Sequence, residues 1–129
     1  MGSESQAKTV LIADDHESVR EIVRVVLERA GFNVAEAIDG LDAVDKASQI
    51  KPDLLILDLR MPKLNGVEVA SLVRGRLPNI PIVLFTMYEA GPAVITASGI
   101  NSVIRKPQGV IKLAECVTRL LAPPEVAPA

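Results

Sequence analysis

The sequence predicts an α/β fold: a five-stranded parallel sheet, doubly wound, with helices on both faces. Short apolar runs rich in β-branched residues alternate five times with segments of helical period, and the links between them are short. Repeated β–α units joined by short links force a parallel sheet covered on both sides. At 129 residues, 49% hydrophobic and 23% charged, the chain has the size and balance of one globular domain. Aromatic residues are only 2% and tryptophan is absent, so the core must be aliphatic.

The elements follow in order. Residues 1–7 read as a loose polar lead, and 8–121 as the domain. Thr9-Val10-Leu11-Ile12-Ala13 is the first buried strand, and it ends in Asp14-Asp15. In the first helix Val19, Ile22, Val23, Val26, Leu27 and Ala30 recur at one helical face, while Arg20, Glu21, Arg24, Glu28 and Arg29 cover the other. Gly31 stops it. Residues 32–37 form a weaker second strand. Asp39 caps a second helix whose inward side carries Leu41, Val44, Ala47 and Ser48, and Lys51-Pro52 ends it. The run Leu54-Leu55-Ile56-Leu57 is a strand buried on both faces, with Asp53 before it and Asp58 after. Met61-Pro62 and Asn65-Gly66 then turn the chain. A third helix spans 66–74, with Val67, Ala70, Leu72 and Val73 inward. Residues 81–85 form a fourth strand ending in Thr86, and 89–98 a short, irregular fourth helix with Gly91-Pro92 near its start. Residues 102–105 form a fifth strand ending in Lys106-Pro107. The last helix carries Val110, Leu113, Ala114, Val117, Leu120 and Leu121. The proline-rich stretch 122–129 is expected to be a disordered tail or the start of a linker.

Composition narrows the function. The net charge is -2 and no block of Lys or Arg offers a phosphate-backbone footprint, so direct nucleic-acid binding by this chain is not expected. No apolar run approaches the ~20 residues of a membrane span. The N-terminus lacks a signal-peptide core, and the single cysteine, Cys116, cannot form an internal disulfide. A cytoplasmic setting is the expectation. Cys116 reads as a small core or half-buried residue.

Four strands end at their carboxyl edge in a polar residue: Asp14-Asp15, Asp58, Thr86 and Lys106. In a doubly wound sheet these ends converge on one crevice. Taken singly each has a plain alternative: Asp14-Asp15 caps the first helix, Asp58 belongs to a turn, Thr86 is structural, Lys106 is solvated. Together they point to chemistry. Three adjacent carboxylates repel unless a cation joins them, and hard oxygen donors suit Mg²⁺. A lysine supplies a fixed positive charge and a threonine a hydroxyl donor. These are the parts of a phosphoryl-transfer site with a carboxylate nucleophile. His16 follows the acid pair, but without a second histidine it reads as an exposed helix-start residue.

In this order, and each at a strand end, Asp14-Asp15, Asp58 with Met61-Pro62 and Gly66, Thr86, and Lys106-Pro107 resemble the receiver domain of two-component response regulators, over roughly residues 8–121. The resemblance implies a flavodoxin-like (βα)5 three-layer sandwich. It implies Asp58 as phosphoacceptor, served by a phosphohistidine on a sensor histidine kinase. It implies Mg²⁺ held by Asp15, Asp58 and the backbone carbonyl of Arg60, with Asp14 holding a metal-bound water. Lys106 would pair with a phosphoryl oxygen, Thr86 would bond another, and the Lys106–Pro107 peptide would be cis. The chain would then be a phosphorylation switch that changes its affinity for a downstream target or output domain, not a metabolic enzyme.

Three positions depart from the family pattern. Val103 stands where an aromatic ring often couples to the threonine, the stretch from Thr86 to Lys106 is slightly short, and Met87 is bulkier than the usual small residue and narrows access for small phosphodonors. Tyr88, the one tyrosine, lies two residues past Thr86, so its emission should respond to Mg²⁺ or phosphorylation. Helix four carries little charge, so the face of helix four, strand five and helix five is expected to contact a target or a second copy, with Ile95→Lys as its probe. Two rivals stay open. One is a receiver-like module that signals without phosphate. The other is a phosphohydrolase with an aspartate nucleophile, although Arg60 stands where such enzymes need a second acid.

Overall fold

A computed structural model describes residues 7–89, 91–106 and 109–122. The elements run β1 (Thr9–Ala13), α1 (Glu17–Arg29), β2 (Asn33–Ala37), α2 (Gly40–Ile50), β3 (Leu54–Leu57), α3 (Gly66–Arg76), β4 (Ile82–Thr86), α4 (Pro92–Ala97), β5 (Ser102–Arg105) and α5 (Val110–Leu121). All strand pairs are parallel, in the order β2-β1-β3-β4-β5. The order reverses between β1 and β3, and the carboxyl ends flanking such a reversal are where open α/β sheets bind ligands.

Strand alternation divides the interior in two. Leu11, Ala13, Leu55, Leu57, Ile82 and Leu84 face α2 and α3, whose Ala43, Val44, Ala47, Val69, Ala70 and Val73 cover them. Val10, Ile12, Leu54, Ile56, Val83 and Phe85 face α1 and α5, through Val23, Leu27, Leu113, Cys116 and Val117. Both faces are largely aliphatic, with Phe85 the one buried ring among the residues named, and Cys116 is a buried core residue.

The helix faces needed correction. Ile22, Leu41 and Leu72 are exposed, and Ala30 is exposed at the end of α1. The buried positions beside them are Val23, Ala43 and Val69. The expected Val23, Leu27, Val44, Ala47, Ala70 and Val73 are buried, while Ala43 and Val69 complete the inward faces of α2 and α3. Gly40 lets the start of α2 meet the loop after β3: a Cβ there would fall on the main chain of Leu64. The α4 helix is shorter than the expected 89–98, starting at Pro92, where a fixed φ suits a first helical position. It has no fully buried residue. Ile95 nevertheless packs partly against the first core together with Val103, so it is not the surface probe expected of it; Val94, 46% exposed, is. The Lys106–Pro107 peptide, Pro107 itself and the stretch 123–129 lie outside the described residues.

Candidate functional site

The sheet edge gathers Asp14, Asp15, Asp58 and Lys106 at one place. Asp14 follows β1 and Asp58 follows β3, adjacent strands whose registers pair Ala13 with Leu57. The Asp58 amide donates to the Ala13 carbonyl at 3.0 Å, which continues the ladder past the strand end and brings the two acids side by side. Asp14 is 1% and Asp58 3% exposed, while Asp15 is exposed at the rim. Lys106 reaches over from the end of β5. Its Nζ lies 2.8 Å from Asp14 Oδ2 and 3.1 Å from Asp58 Oδ2. Burial alone would lower the lysine pKa, but the hydrogen bond and charge of Asp14, with those of Asp58, outweigh it and raise the pKa above the usual lysine value.

The acid pair does not cap α1. The residue before that helix is His16, which makes no side-chain cap bond. The Asp14 carboxylate instead accepts from the His16 amide at 2.9 Å, and Asp15 remains beside the crevice. Nor is Asp58 a simple turn residue. The loop after it is pinned by the Gly66 amide donating to the Leu59 carbonyl at 2.8 Å, and a Cβ on Gly66 would fall on the Asp58 carbonyl. By contrast Asp53, the acid at the other end of β3, is structural: its carboxylate accepts from the Thr9 amide at 2.8 Å and its own amide donates to the Thr9 carbonyl.

Asp58 Oδ1 is buried and accepts no hydrogen bond among the described residues. Asp14 Oδ2 accepts none of good geometry either, though the Lys106 ammonium is close to it. One ligand atom from each of Asp14, Asp15, His16 and Asp58 lies within 4.8 Å of all the others. Three carboxylates against one ammonium leave two negative charges, and Asp58 keeps a buried oxygen without a hydrogen-bond partner among the described residues. That donor set fits a hard divalent cation.

The remaining predicted residues stand around this center. Thr86 is fully buried at the end of β4, and its Oγ1 accepts from the Tyr88 amide at 3.2 Å; no hydrogen bond joins it to Asp58 or Lys106 among the described residues. Arg60 turns its guanidinium onto the Tyr88 ring, 4.1 Å from the centroid, a cation–π contact linking the loops after β3 and β4. Met87 is exposed, and its carbonyl accepts from Arg105 at 3.3 Å. Val103 sits opposite Leu84 and is partly buried in the first core. His16 is, as expected, an exposed residue at the start of α1; its Nδ1 lies 3.1 Å from Asp14 Oδ1.

Comparison with known proteins agrees with this geometry. The family model described as "Response regulator receiver domain" matches residues 10–118. The response regulator protein VraR of Staphylococcus saprophyticus is 38% identical over 114 residues, covering 85% of this chain and 54% of that protein. The probable transcriptional regulatory protein TcrX of Mycobacterium tuberculosis is 32% identical, covering 93% of this chain and 51% of its own length. This chain thus spans about half the length of these curated relatives. Among solved structures, the chemotaxis protein CheY4 of Vibrio cholerae superposes with a TM-score of 0.83 at 32% identity, covering 89% of this chain and 99% of that one. With the acids, the lysine and the parallel sheet all in the family's order, the chain belongs to the response regulator receiver domains.

Proposed function

We propose that Asp58 is the phosphoacceptor of this receiver domain and that Asp14, Asp15 and Asp58, with the Arg60 main-chain carbonyl, hold Mg²⁺. The observation that carries the reading is the convergence of three acids and Lys106 at the Asp58 carboxylate, whose buried Oδ1 has no hydrogen-bond partner among the described residues. When bound, Mg²⁺ supplies positive charge against the acids and the incoming phosphoryl group. The Asp58 carboxylate attacks phosphorus, the P–N bond to the phosphohistidine of a sensor kinase breaks, and a P–O bond forms. Lys106, freed from Asp58, pairs with a phosphoryl oxygen, and the Thr86 hydroxyl turns from the Tyr88 amide to donate to another phosphoryl oxygen. Residues 8–121 form the unit that carries out the step, in a cytoplasmic setting; no described helix is long and apolar enough to cross a membrane.

The output leaves through packing. Thr86 holds the Tyr88 amide, and Tyr88 holds Arg60, so movement of the hydroxyl loosens the loops after β3 and β4 together. Val103 is aliphatic and packed, so the switch uses Tyr88 in place of an inward-turning ring. The face of α4, β5 and α5 then meets a target, an output domain or a second copy.

The test is phosphorylation by acetyl phosphate or a phosphorylated kinase, followed by intact mass. Asp58→Asn should take up no phosphoryl group while its circular dichroism stays unchanged. In the wild type, Mg²⁺ should alter Tyr88 emission. Continued labelling of the Asp58→Asn protein would sink the assignment.

A further inference from the structure

We infer that Arg20, braced by Glu36, is a positioning residue of the cation site: it fixes the Asp14–Asp15 peptide and so aims the Asp15 carboxylate. The inference deepens the proposal that Asp14, Asp15 and Asp58 hold a cation, and rests on it. The guanidinium bridges two partners. Its Nη1 donates to the Asp14 carbonyl at 2.8 Å, and its Nε donates to Glu36 Oε1 at 2.8 Å. The side chain is 11% exposed, so both bonds are largely shielded from water.

Both ends of the bridge are anchored. Arg20 lies in the first turn of α1, and its amide donates to the His16 carbonyl at 3.2 Å. Glu36 lies on β2, paired with Ile12 of β1. Its second carboxylate oxygen accepts from Arg24 Nε at 2.6 Å, and its carbonyl accepts from Lys46 Nζ at 2.6 Å. Asp14 is held at its amide as well, which donates to the Ala37 carbonyl at 3.2 Å. The Asp15 side chain has less support. It stands at the rim, 33% exposed, with the exposed His16 ring as its ion-pair neighbour among the described residues. Its aim depends on the main chain that carries it. A peptide unit is planar, so the direction of the Asp14 carbonyl fixes the Asp15 amide and the path of the chain into Asp15. By holding that carbonyl, Arg20 holds the base from which the Asp15 carboxylate reaches the crevice.

Positioning and charge predict opposite signs. A guanidinium beside the acids repels an incoming cation, so if Arg20 acted through its charge alone, its loss would tighten Mg²⁺ binding. Acting through the Asp14 carbonyl, its loss frees the peptide and loosens binding. Arg24 supplies the comparison. It stands one turn further along α1, carries the same charge and shares the Glu36 carboxylate, but its described bonds run to Glu36 and Glu28, not to Asp14.

Calorimetric titration of the full chain with Mg²⁺ tests this, with urea unfolding of each variant as the check on folding. Arg20→Ala should weaken Mg²⁺ binding about tenfold. Arg24→Ala should bind Mg²⁺ nearly as the wild type does, although it too loses stability. Arg20→Lys keeps the charge but lacks the planar fork that spans two acceptors, so it should also bind Mg²⁺ more weakly than the wild type. That variant decides the matter if Arg20→Ala does not fold. In phosphorylation by acetyl phosphate, the Arg20 variants should need more Mg²⁺ to reach half their maximal rate, with the rate at saturating Mg²⁺ far less changed. Mg²⁺ binding that is unchanged or tighter in the folded Arg20 variants, or equally weakened in Arg24→Ala, would overturn the role of Arg20 while leaving the cation site standing. Failure of the wild type to bind Mg²⁺ would overturn both.

Discussion

Lys106 is the residue on which the charge balance of the site turns. Among the described residues it is the one ammonium within reach of Asp14 and Asp58, and both acids are almost wholly buried. Removing one partner of a buried ion pair leaves the other uncompensated, which costs more than the pair itself contributes. Lys106→Ala should therefore destabilise the cation-free domain by about 2–3 kcal/mol in urea unfolding at neutral pH. Because the folded-state pKa of Lys106 is raised, its contribution is fully present below the unfolded lysine value and fades only as pH rises through the folded value. The same variant leaves three acids with no internal cation. Mg²⁺ should bind it more tightly and restore part of the stability by mass action. At this scale the acids and the lysine were legible, because each ends a strand. The Arg60–Tyr88 stack and the His16 contacts were not, since they depend on how loops fold over the edge.

Among the elements, β2 and α1 are joined by polar contacts that look like plain solvation in the sequence. Arg20 and Arg24, one turn apart on the charged side of α1, both reach Glu36 on β2, at 2.8 and 2.6 Å. Burial alone would raise the Glu36 pKa, but the hydrogen bonds from Arg24 and Arg20 outweigh it and leave it below the usual glutamate value. A depressed folded-state pKa adds stability that is present above the unfolded glutamate value and lost as pH falls through the folded one. Glu36→Gln should therefore cost on the order of 1 kcal/mol at pH 7, with the gap to wild type closing only as pH falls below the unfolded glutamate value. A pH-independent difference in thermal unfolding would mean that the charge is not the cause. The helix faces at this scale were read only partly. Periodicity located α1, α2 and α3 and placed Val23, Leu27, Val44, Ala47, Ala70 and Val73 inward, but it also took in Ile22, Leu41 and Leu72 and passed over Ala43 and Val69.

Across the whole molecule, Arg74 ties separate segments together. From α3 it donates to the carbonyls of Pro78, Ile80 and Gly99, so it binds the α3–β4 turn to the link between α4 and β5. Gly99 takes a positive φ of 73°, and a Cβ there would meet Arg74 Nε at 2.8 Å. Arg74→Ala leaves three carbonyls without this donor and should cost about 2 kcal/mol, read from urea unfolding with an unchanged dependence on denaturant. The proposed output face is tested at the same scale. Val94→Lys places a charge on the exposed side of α4 without touching the core, unlike Ile95→Lys. Loss of phosphorylation-dependent dimerisation or target capture, with normal phosphorylation at Asp58, is the expected outcome. Unchanged assembly measured by light scattering would remove α4 from the interface.

By itself the sequence determined the alternation of strands and helices, the parallel sheet, and the acids and lysine that terminate its strands. These follow from local periodicity and from topology rules that allow few ways to join short β–α units. Only the tertiary structure decided which oxygen is left without a donor, that Asp14 turns away from capping α1, and that Arg60 lies on Tyr88. The reason is that such facts concern distances between residues far apart in the chain. Strand register and the close approach at Gly66 set those distances, and neither is encoded in any one stretch.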